Sequence, residues 1–191
     1  MTRLALLLFA ASTAATAALA AHAAPPRPLS IDPTRSDIEA EVRASLHTFS
    51  ARVQTYEARI EADPDDGRIH RATLRFLFDD LGTGDEKRDR HMREWEDTRQ
   101  FPAVTFTLAS LEPLADGKYT ARGRLELHGT SREIAFPVSI AIADRTTYSI
   151  DGEVPLDTRE HGLGVIRKFG VLKVNPVVLV RFHLQGTLAS R

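Results

Sequence analysis

The sequence contains no cysteine among its 191 residues. Disulfide bonds and a thiol nucleophile are therefore excluded, and packing must supply the stability of the fold. An excess of either charge is also absent, since 25 Lys and Arg face 26 Asp and Glu. A nucleic-acid groove needs a basic excess, so we expect no nucleic-acid partner.

Long apolar runs are missing except at the N-terminus, where residues 4–21 carry no charge. Ala21 and Ala23 place small residues where a signal peptidase reads them. The alternative, a retained membrane anchor, needs ~20 strongly apolar residues, but this stretch turns to Ala, Ser and Thr after Phe9. We predict a signal peptide over residues 1–23, an extended leader over 24–35 and one domain over 36–188.

Apolar and polar residues alternate along most of the remaining chain, which is the pattern of half-buried β-strands. A DPDDG stretch at residues 63–67 and Asp116-Gly117 mark tight turns between such series. The sequence predicts an all-β domain of about eight antiparallel strands, carried by the series 38–46, 56–60, 74–78, 104–108, 119–127, 134–142, 148–156 and 178–184.

Eight strands fit a closed lipocalin-like barrel or a flat sandwich, and composition alone does not separate these two. An outer-membrane barrel is disfavoured, because it needs aromatic girdles and aromatic residues make up only 7% of the chain. A barrel of this size is either filled by its own side chains or able to hold one ligand. Small residues at the positions that the alternation directs inward favour a cavity, because they leave the interior unfilled. They are Ala40, Ala44, Ala58, Ala121, Gly123 and Gly152.

One charged stretch, DEKRDRHMREWEDTRQF at residues 85–101, has a helical period instead. Thr83 and Glu86 have the spacing of a capping box, and Pro102 ends the helical conformation at its predecessor. We predict a short helix that caps one end of the barrel with the face formed by Arg88, His91, Met92 and Trp95.

Two segments, RDRHMREWEDTRQFPAVTF at 88–106 and GRLELHGTSREIAFPV at 123–138, resemble the YceI-like family. The likeness extends over about residues 36–186. It implies a lipocalin-like barrel that is exported to the periplasm and holds a polyisoprenoid or fatty acyl chain. The chain departs from the family pattern in being about two residues shorter between His91 and Pro102, and in having Glu133 for a frequent proline and His161 for an aromatic residue.

This resemblance and the inward phases together predict the residues that contact the ligand. They come from the strand interiors and from the helix that closes the mouth. The predicted ligand-binding residues are Leu46, His47, Phe49, Val53, Asp89, His91, Met92, Trp95, Phe101, Phe106, Leu125, Phe136, Val138, Tyr148 and Phe182.

Histidine chemistry has less support. Asp89 and His91 have the residue types of an acid–base pair, but no nucleophile accompanies them. A pair of this kind more often ties a helix to a strand, so we predict no catalytic residue and no cofactor. No H-x-x-E-H motif is present, and a long-range site from His47, His91 and His161 is the weaker metal alternative. His128 and His183 are expected to face solvent.

The sequence therefore predicts an exported, periplasmic binding protein without enzymatic activity. It would carry or store an isoprenoid or fatty acyl lipid and make transient contact with a membrane; its oligomeric state is left open. The alternatives are a hydrolase or other enzyme that uses His91 and Asp89 on such a lipid, and a filled structural barrel without a ligand.

Overall fold

A computed structural model describes residues 25–168 and 172–189, so the predicted signal peptide lies outside the described residues. None of the described helices is long and apolar enough to cross a membrane. The strands are β1 (Arg27–Ile31), β2 (Asp37–Arg43), β3 (Thr48–Val53), β4 (Glu57–Ala62), β5 (Ile69–Leu77), β6 (Leu81–Gly82), β7 (Ala103–Pro113), β8 (Lys118–Leu127), β9 (Thr130–Ala143), β10 (Thr147–Asp157), β11 (Arg167–Lys168), β12 (Leu172–Lys173) and β13 (Val177–Leu188), with one helix, α1 (Glu86–Glu96), and 3-10 turns at Phe78–Asp80 and Thr158–His161.

Eleven of these strands form one antiparallel sheet that closes into an eight-stranded barrel. The barrel has eight strands rather than eleven because three of them are interrupted by a short break. Each of these is made of two consecutive elements: β1 with β2, β3 with β4, and β5 with β6. For example, β1 pairs Leu29 with Leu188, and β2 pairs Ile38 with Phe182 on the same edge of β13. The predicted lipocalin-like barrel is confirmed, and the flat sandwich is wrong because β13 pairs with β10 on one edge and with β1 and β2 on the other.

The first barrel strand differs from its prediction at both ends. Residues 27–31, assigned to the extended leader, form β1 and pair with β4 and β13. The predicted series 38–46 ends at Arg43, because the Ala44 amide donates to the His47 carbonyl and turns the chain. Leu46 therefore lies at the tip of a turn with 72% of its surface exposed, and the prediction that it faces the interior is wrong.

Tight turns with left-handed backbones join the later strands. Asp116 and Gly117 both have positive φ, as predicted for the hairpin between β7 and β8. His128 with Gly129 and Asp144 with Arg145 repeat this conformation in the next two hairpins. Such turns match the right-handed twist of the paired strands, which allows neighbours along the chain to pair all around the barrel.

The helix is confirmed, but its boundaries are narrower than predicted. Asp85, rather than Thr83, is the N-cap, and its side chain accepts from the amides of Lys87 and Arg88. The helix ends at Glu96 because Asp97 takes a left-handed conformation with φ 54°. Residues 98–101 then lead to β7 without further helix, and the predicted end at Phe101 is wrong.

The barrel has one end packed with protein and one end covered by α1. The turns at 63–67, 114–117 and 144–146 lie at the packed end, where buried side chains form a floor: Leu29, Ala62, Tyr148 and Leu188. The turns at 44–47 and 128–129, α1 and residues 158–166 after β10 lie at the opposite end, which we call the mouth. The helix and the segment after β10 therefore both lie at the end of the barrel that is not packed by the floor.

Two glycines on the barrel wall leave room for aromatic rings. A Cβ atom built on Gly152 would lie 2.5 Å from Cε1 of Phe182, its neighbour across the strand pair, and one built on Gly123 would lie 2.5 Å from the Phe106 ring. Real Cβ atoms do not approach so closely. The missing side chains therefore let both rings lie flat against the wall instead of projecting across the interior.

We predict that Gly152→Ala lowers the free energy of unfolding by about 1–3 kcal/mol, because the added methyl forces the Phe182 ring out of its place in a packed wall. Chemical denaturation of the purified protein measures this loss. Gly164→Ala is the control, because no atom lies within 4 Å of the position a Cβ would take there. Equal stability of the two variants would contradict the proposed ring packing.

Candidate ligand-binding cavity

An apolar cavity of about 520 Å³ occupies the barrel interior. Its wall is built from the inward side chains of the barrel strands, while outward neighbours such as Arg59 and Arg75 are excluded from it. Several inward apolar side chains remain only half-buried, including Ala58, Leu74 and Val180. A barrel filled by its own side chains would bury them fully, so the filled-barrel alternative does not describe this interior.

Three phenylalanines form a row around part of the wall. Phe106 on β7 lies 5.4 Å from Phe136 on β9 between ring centroids, and Phe136 lies 6.1 Å from Phe182 on β13 in an edge-to-face arrangement. Each ring therefore packs against the next in a geometry that aromatic pairs prefer. The row gives the cavity a stiff apolar wall without polar groups.

The helix closes the mouth with its apolar face. Met92 and Trp95 pack on a cluster that includes Phe78, Leu127 and Leu163. The Trp95 indole Nε1–H donates to the Gly164 carbonyl at 2.8 Å, which fixes the ring on the loop after β10. The helix thus contributes an apolar ceiling whose polar edge is satisfied.

Apart from Glu39 on β2, whose carboxylate pairs with Arg52, the charged residues of the described lining lie around this mouth. Lys87 and Arg88 from the first turn of α1 lie there with His91, next to the Asp85 N-cap. The Arg88 guanidinium lies 4.4 Å from the centre of the Phe49 ring and 3.6 Å from Asp85. These contacts join the start of the helix to β3 and leave cationic groups where a polar head group would rest.

Asp89 is a structural residue and not a partner of His91. Its Oδ1 accepts from the Thr83 amide at 2.9 Å and from the Thr83 hydroxyl at 2.5 Å. In the described part of the chain, no hydrogen bond or ion pair joins Asp89 to His91. Asp89 therefore ties the helix to Thr83, the residue that follows β6, rather than to a strand.

The structure brings eleven of the fifteen predicted ligand-binding residues to the cavity. Contact with a ligand remains a prediction for all of them: His47, Phe49, Val53, His91, Met92, Trp95, Phe106, Leu125, Phe136, Val138 and Phe182. The other four lie outside the lining. Leu46 is at the tip of its turn, Asp89 bonds Thr83, Phe101 packs on His128, and Tyr148 belongs to the floor.

The sequence analysis missed the buried carboxyl group of Glu96 at the last turn of α1. Glu96 is 0% exposed, and its Oε1 accepts from the His128 amide at 3.1 Å. His128 Nδ1 lies 2.8 Å from the Glu96 carbonyl oxygen. The prediction that His128 faces solvent is therefore wrong, because the left-handed turn at 128–129 directs it onto the helix end. His183 does face outward and pairs with Asp151 at 2.6 Å.

Burial raises the pKa of Glu96 to about 7, an effect that the nearby charge of Asp97 increases and the amide of His128 opposes. Its Oε2 has no partner among the described residues. A second buried polar group, His161, contacts the Thr130 carbonyl oxygen at 3.3 Å through Nδ1. Two titratable side chains therefore contact the β8–β9 hairpin: Glu96 from the end of α1 and His161 from the 3-10 turn after β10.

A metal site is not formed by the residues that the structure describes. No group of three or more His, Asp or Glu side chains there could hold a metal ion. His47, His91 and His161 therefore do not converge as the long-range alternative required. His47 and His91 line the mouth, whereas His161 is buried behind the β8–β9 turn.

Comparison with known proteins agrees with this architecture. The family model described as YceI-like domain matches residues 29–186. No curated protein matches the chain significantly. Among solved structures, Burkholderia cenocepacia BcnA superposes with a TM-score of 0.72 at 20% identity, covering 82% of this chain and 99% of that one.

Two further structures share the fold. A polyisoprenoid binding domain from Saccharophagus degradans, implicated in plant cell wall breakdown, gives a TM-score of 0.68 at 19% identity over 85% of this chain and 99% of that one. The Campylobacter jejuni YCEI protein gives 0.63 at 15% identity over 73% and 85%. At these identities the likeness establishes the fold alone.

We predict that Glu96→Gln changes how stability depends on pH. The pKa of Glu96 is about 7 in the folded protein against 4.5 ordinarily, so the folded state holds the proton more tightly. This contribution is fully present below about pH 4.5 and is lost as the pH rises through about 7. It amounts to on the order of 3 kcal/mol.

The Gln variant keeps an acceptor for the His128 amide but cannot ionise. It should therefore match the parent near pH 4 and be more stable than the parent at pH 8, as thermal or chemical denaturation across this range measures. Glu94→Gln, on the exposed side of the same helix, should leave the slope unchanged. A parent and a Glu96 variant with the same slope would refute the assignment.

Proposed function

We propose that this chain, which belongs to the YceI-like domain family, holds the hydrocarbon part of a polyisoprenoid or fatty acyl amphiphile inside its barrel. It would act as a carrier or a store in the periplasm, after export directed by residues 1–23. The family match and the fold support binding in a barrel. The name of the Saccharophagus degradans domain supports a polyisoprenoid as one class of ligand.

The observation that carries this proposal is the distribution of polarity along the cavity. Its wall is apolar except for Glu39 and Thr73, whereas Lys87, Arg88 and His91 lie at the mouth. An amphiphile has the same distribution, with a hydrocarbon chain and one polar end. Each methylene transferred from water contributes ~0.8 kcal/mol, so a chain of about a dozen carbons binds tightly with few polar contacts.

An enzymatic role has less support from this geometry. A general base needs a partner that orients it and a nucleophile within hydrogen-bond reach. Within the described part of the chain, the His91 side chain is exposed and makes no hydrogen bond. The Asp89 carboxylate accepts its hydrogen bonds from Thr83. These contacts favour a binding protein over a hydrolase.

Transient contact with a membrane would bring the mouth to its lipid. Leu46 projects from the turn beside the mouth, and this turn is braced because the Ser45 amide donates to the Lys173 carbonyl at 3.0 Å. Arg43 and Lys173 lie next to it on the exposed surface. An exposed leucine between two cations suits the surface of an anionic bilayer.

The proposal is tested by purifying the exported protein from its native envelope, extracting it gently and identifying the released lipid by mass spectrometry. The delipidated protein should then rebind that lipid with a change in fluorescence of Trp95, the only tryptophan in the chain. Repeated preparations that contain no lipid, together with no rebinding, would refute the carrier proposal.

We predict that Ala58→Phe weakens lipid binding at least tenfold, because a benzyl group projects into the cavity from the wall and takes the place of several methylenes. Titration of the delipidated protein measures the affinity. Ala135→Phe makes the same change on the outer face of β9 and should bind like the parent. Circular dichroism shows whether both variants keep the fold; equal affinity of folded variants would contradict binding in the cavity.

We also predict that His91→Ala leaves the free energy of unfolding within about 0.5 kcal/mol of the parent, as expected for an exposed side chain without partners. The bound lipid should be recovered chemically unchanged from both proteins. Turnover of the lipid by the parent and its loss in this variant would instead establish the enzymatic alternative.

A further inference from the structure

We infer that the barrel limits the chain length of its ligand, accepting one hydrocarbon chain of ~12–17 carbons in a blind-ended cavity. This inference rests on the proposed function and adds to it the size of the ligand. It is carried by the depth of the cavity, its volume and the packed floor.

The floor is the first observation. Along β10 the inward residues Leu156, Val154 and Ile150 line the cavity, but the next one, Tyr148, does not. Tyr148 is 0% exposed and packs with Ala62, which is also fully buried. A chain that enters at the mouth therefore stops above Tyr148 and cannot leave through the far end.

The depth follows from strand geometry. Ile150 and Leu156 mark the inner and outer limits of the lining on β10 and are six positions apart. At ~3.3 Å per residue this is ~20 Å along the strand, or ~15 Å along the axis of a barrel whose strands tilt by ~40°. An extended protein backbone advances ~3.3–3.6 Å over the three bonds of each residue, or ~1.2 Å per bond. An extended alkyl chain advances by about the same amount, so a chain of ~12–16 carbons spans this depth.

The volume is compatible with this length. The cavity measures about 520 Å³. A methylene group occupies about as much space as a water molecule in the liquid, ~30 Å³, so the cavity has room for one chain of ~12–17 carbons. A longer polyprenyl chain would leave its excess outside the mouth.

The polar end then lies at the mouth. Lys87 has no ion pair within the described part of the chain, and it stands beside His91 in the lining. A carboxylate or phosphate at the end of the chain would meet these groups once the hydrocarbon has reached the floor. Chain length and head-group position are therefore coupled.

The experiment titrates delipidated protein with saturated fatty acids from about C8 to about C24 and follows Trp95 fluorescence, with calorimetry as a second readout. Affinity should rise about fourfold per methylene, the fold-change equivalent to one buried methylene, and stop rising at ~12–17 carbons. A long polyprenol should bind no more tightly than the acid at the plateau.

Ile150→Ala should move the plateau to longer chains by about two or three carbons, because it opens space at the floor. Leu156→Ala, on the same face of β10 near the mouth, should not move it. Ile150→Val is the milder substitute if the alanine variant does not fold. A plateau that Ile150 variants leave unchanged, or affinity that rises steadily to C24, would overturn the length limit alone. Absence of binding by every acid would overturn both this inference and the proposed function.

Discussion

Closure of the ring at β13 is the constraint on which the rest of the structure depends. This strand pairs with β10 on one edge and with β1 and β2 on the other. Closure satisfies the backbone of every barrel strand and sets the radius, since an eight-stranded barrel has a nearly fixed width. Whether the interior is solid or hollow is then decided by side-chain size. Alanines at 40, 58, 72 and 121 line this wall, and glycines hold two phenylalanine rings flat against it, so the interior stays hollow.

The barrel and its strand number could be predicted from the sequence because period-two alternation depends only on which face is buried. Turns were predicted where glycine marked them, as at Asp116-Gly117, where both residues have positive φ. The error at residues 44–47 has a different origin. Ala44 and Leu46 continue the alternation of β2 in sequence, but backbone bonds to His47 and Lys173 turn the chain there. No local pattern reveals a turn that is stabilised by a segment more than a hundred residues away.

The candidate site divides in the same way. Inward positions such as Phe106, Phe136 and Phe182 follow from strand phase, and all three reach the cavity. Glu96 could not be found by this reasoning, because a glutamate among many charges on a helix is ordinarily solvated. Its burial depends on His128, whose place is set by a left-handed turn between two other strands. The dipeptide His128-Gly129 between two alternating series was the only local signal for that turn.

The attachments of α1 also fix the position of the helix over the mouth. Asp89 holds the start of the helix to Thr83 after β6, and Glu96 holds its end to the β8–β9 turn. Trp95 fixes the same end on Gly164. Both ends are therefore anchored to the barrel rim, and these sides of the mouth are closed by hydrogen bonds. Lys87 and His91 from α1 and His47 from the turn at 44–47 line the same mouth. Under the proposed function, a hydrocarbon chain that enters at the mouth passes Lys87 and Arg88 first and the phenylalanine row afterwards, so its apolar end would lead and its polar end would remain at the rim.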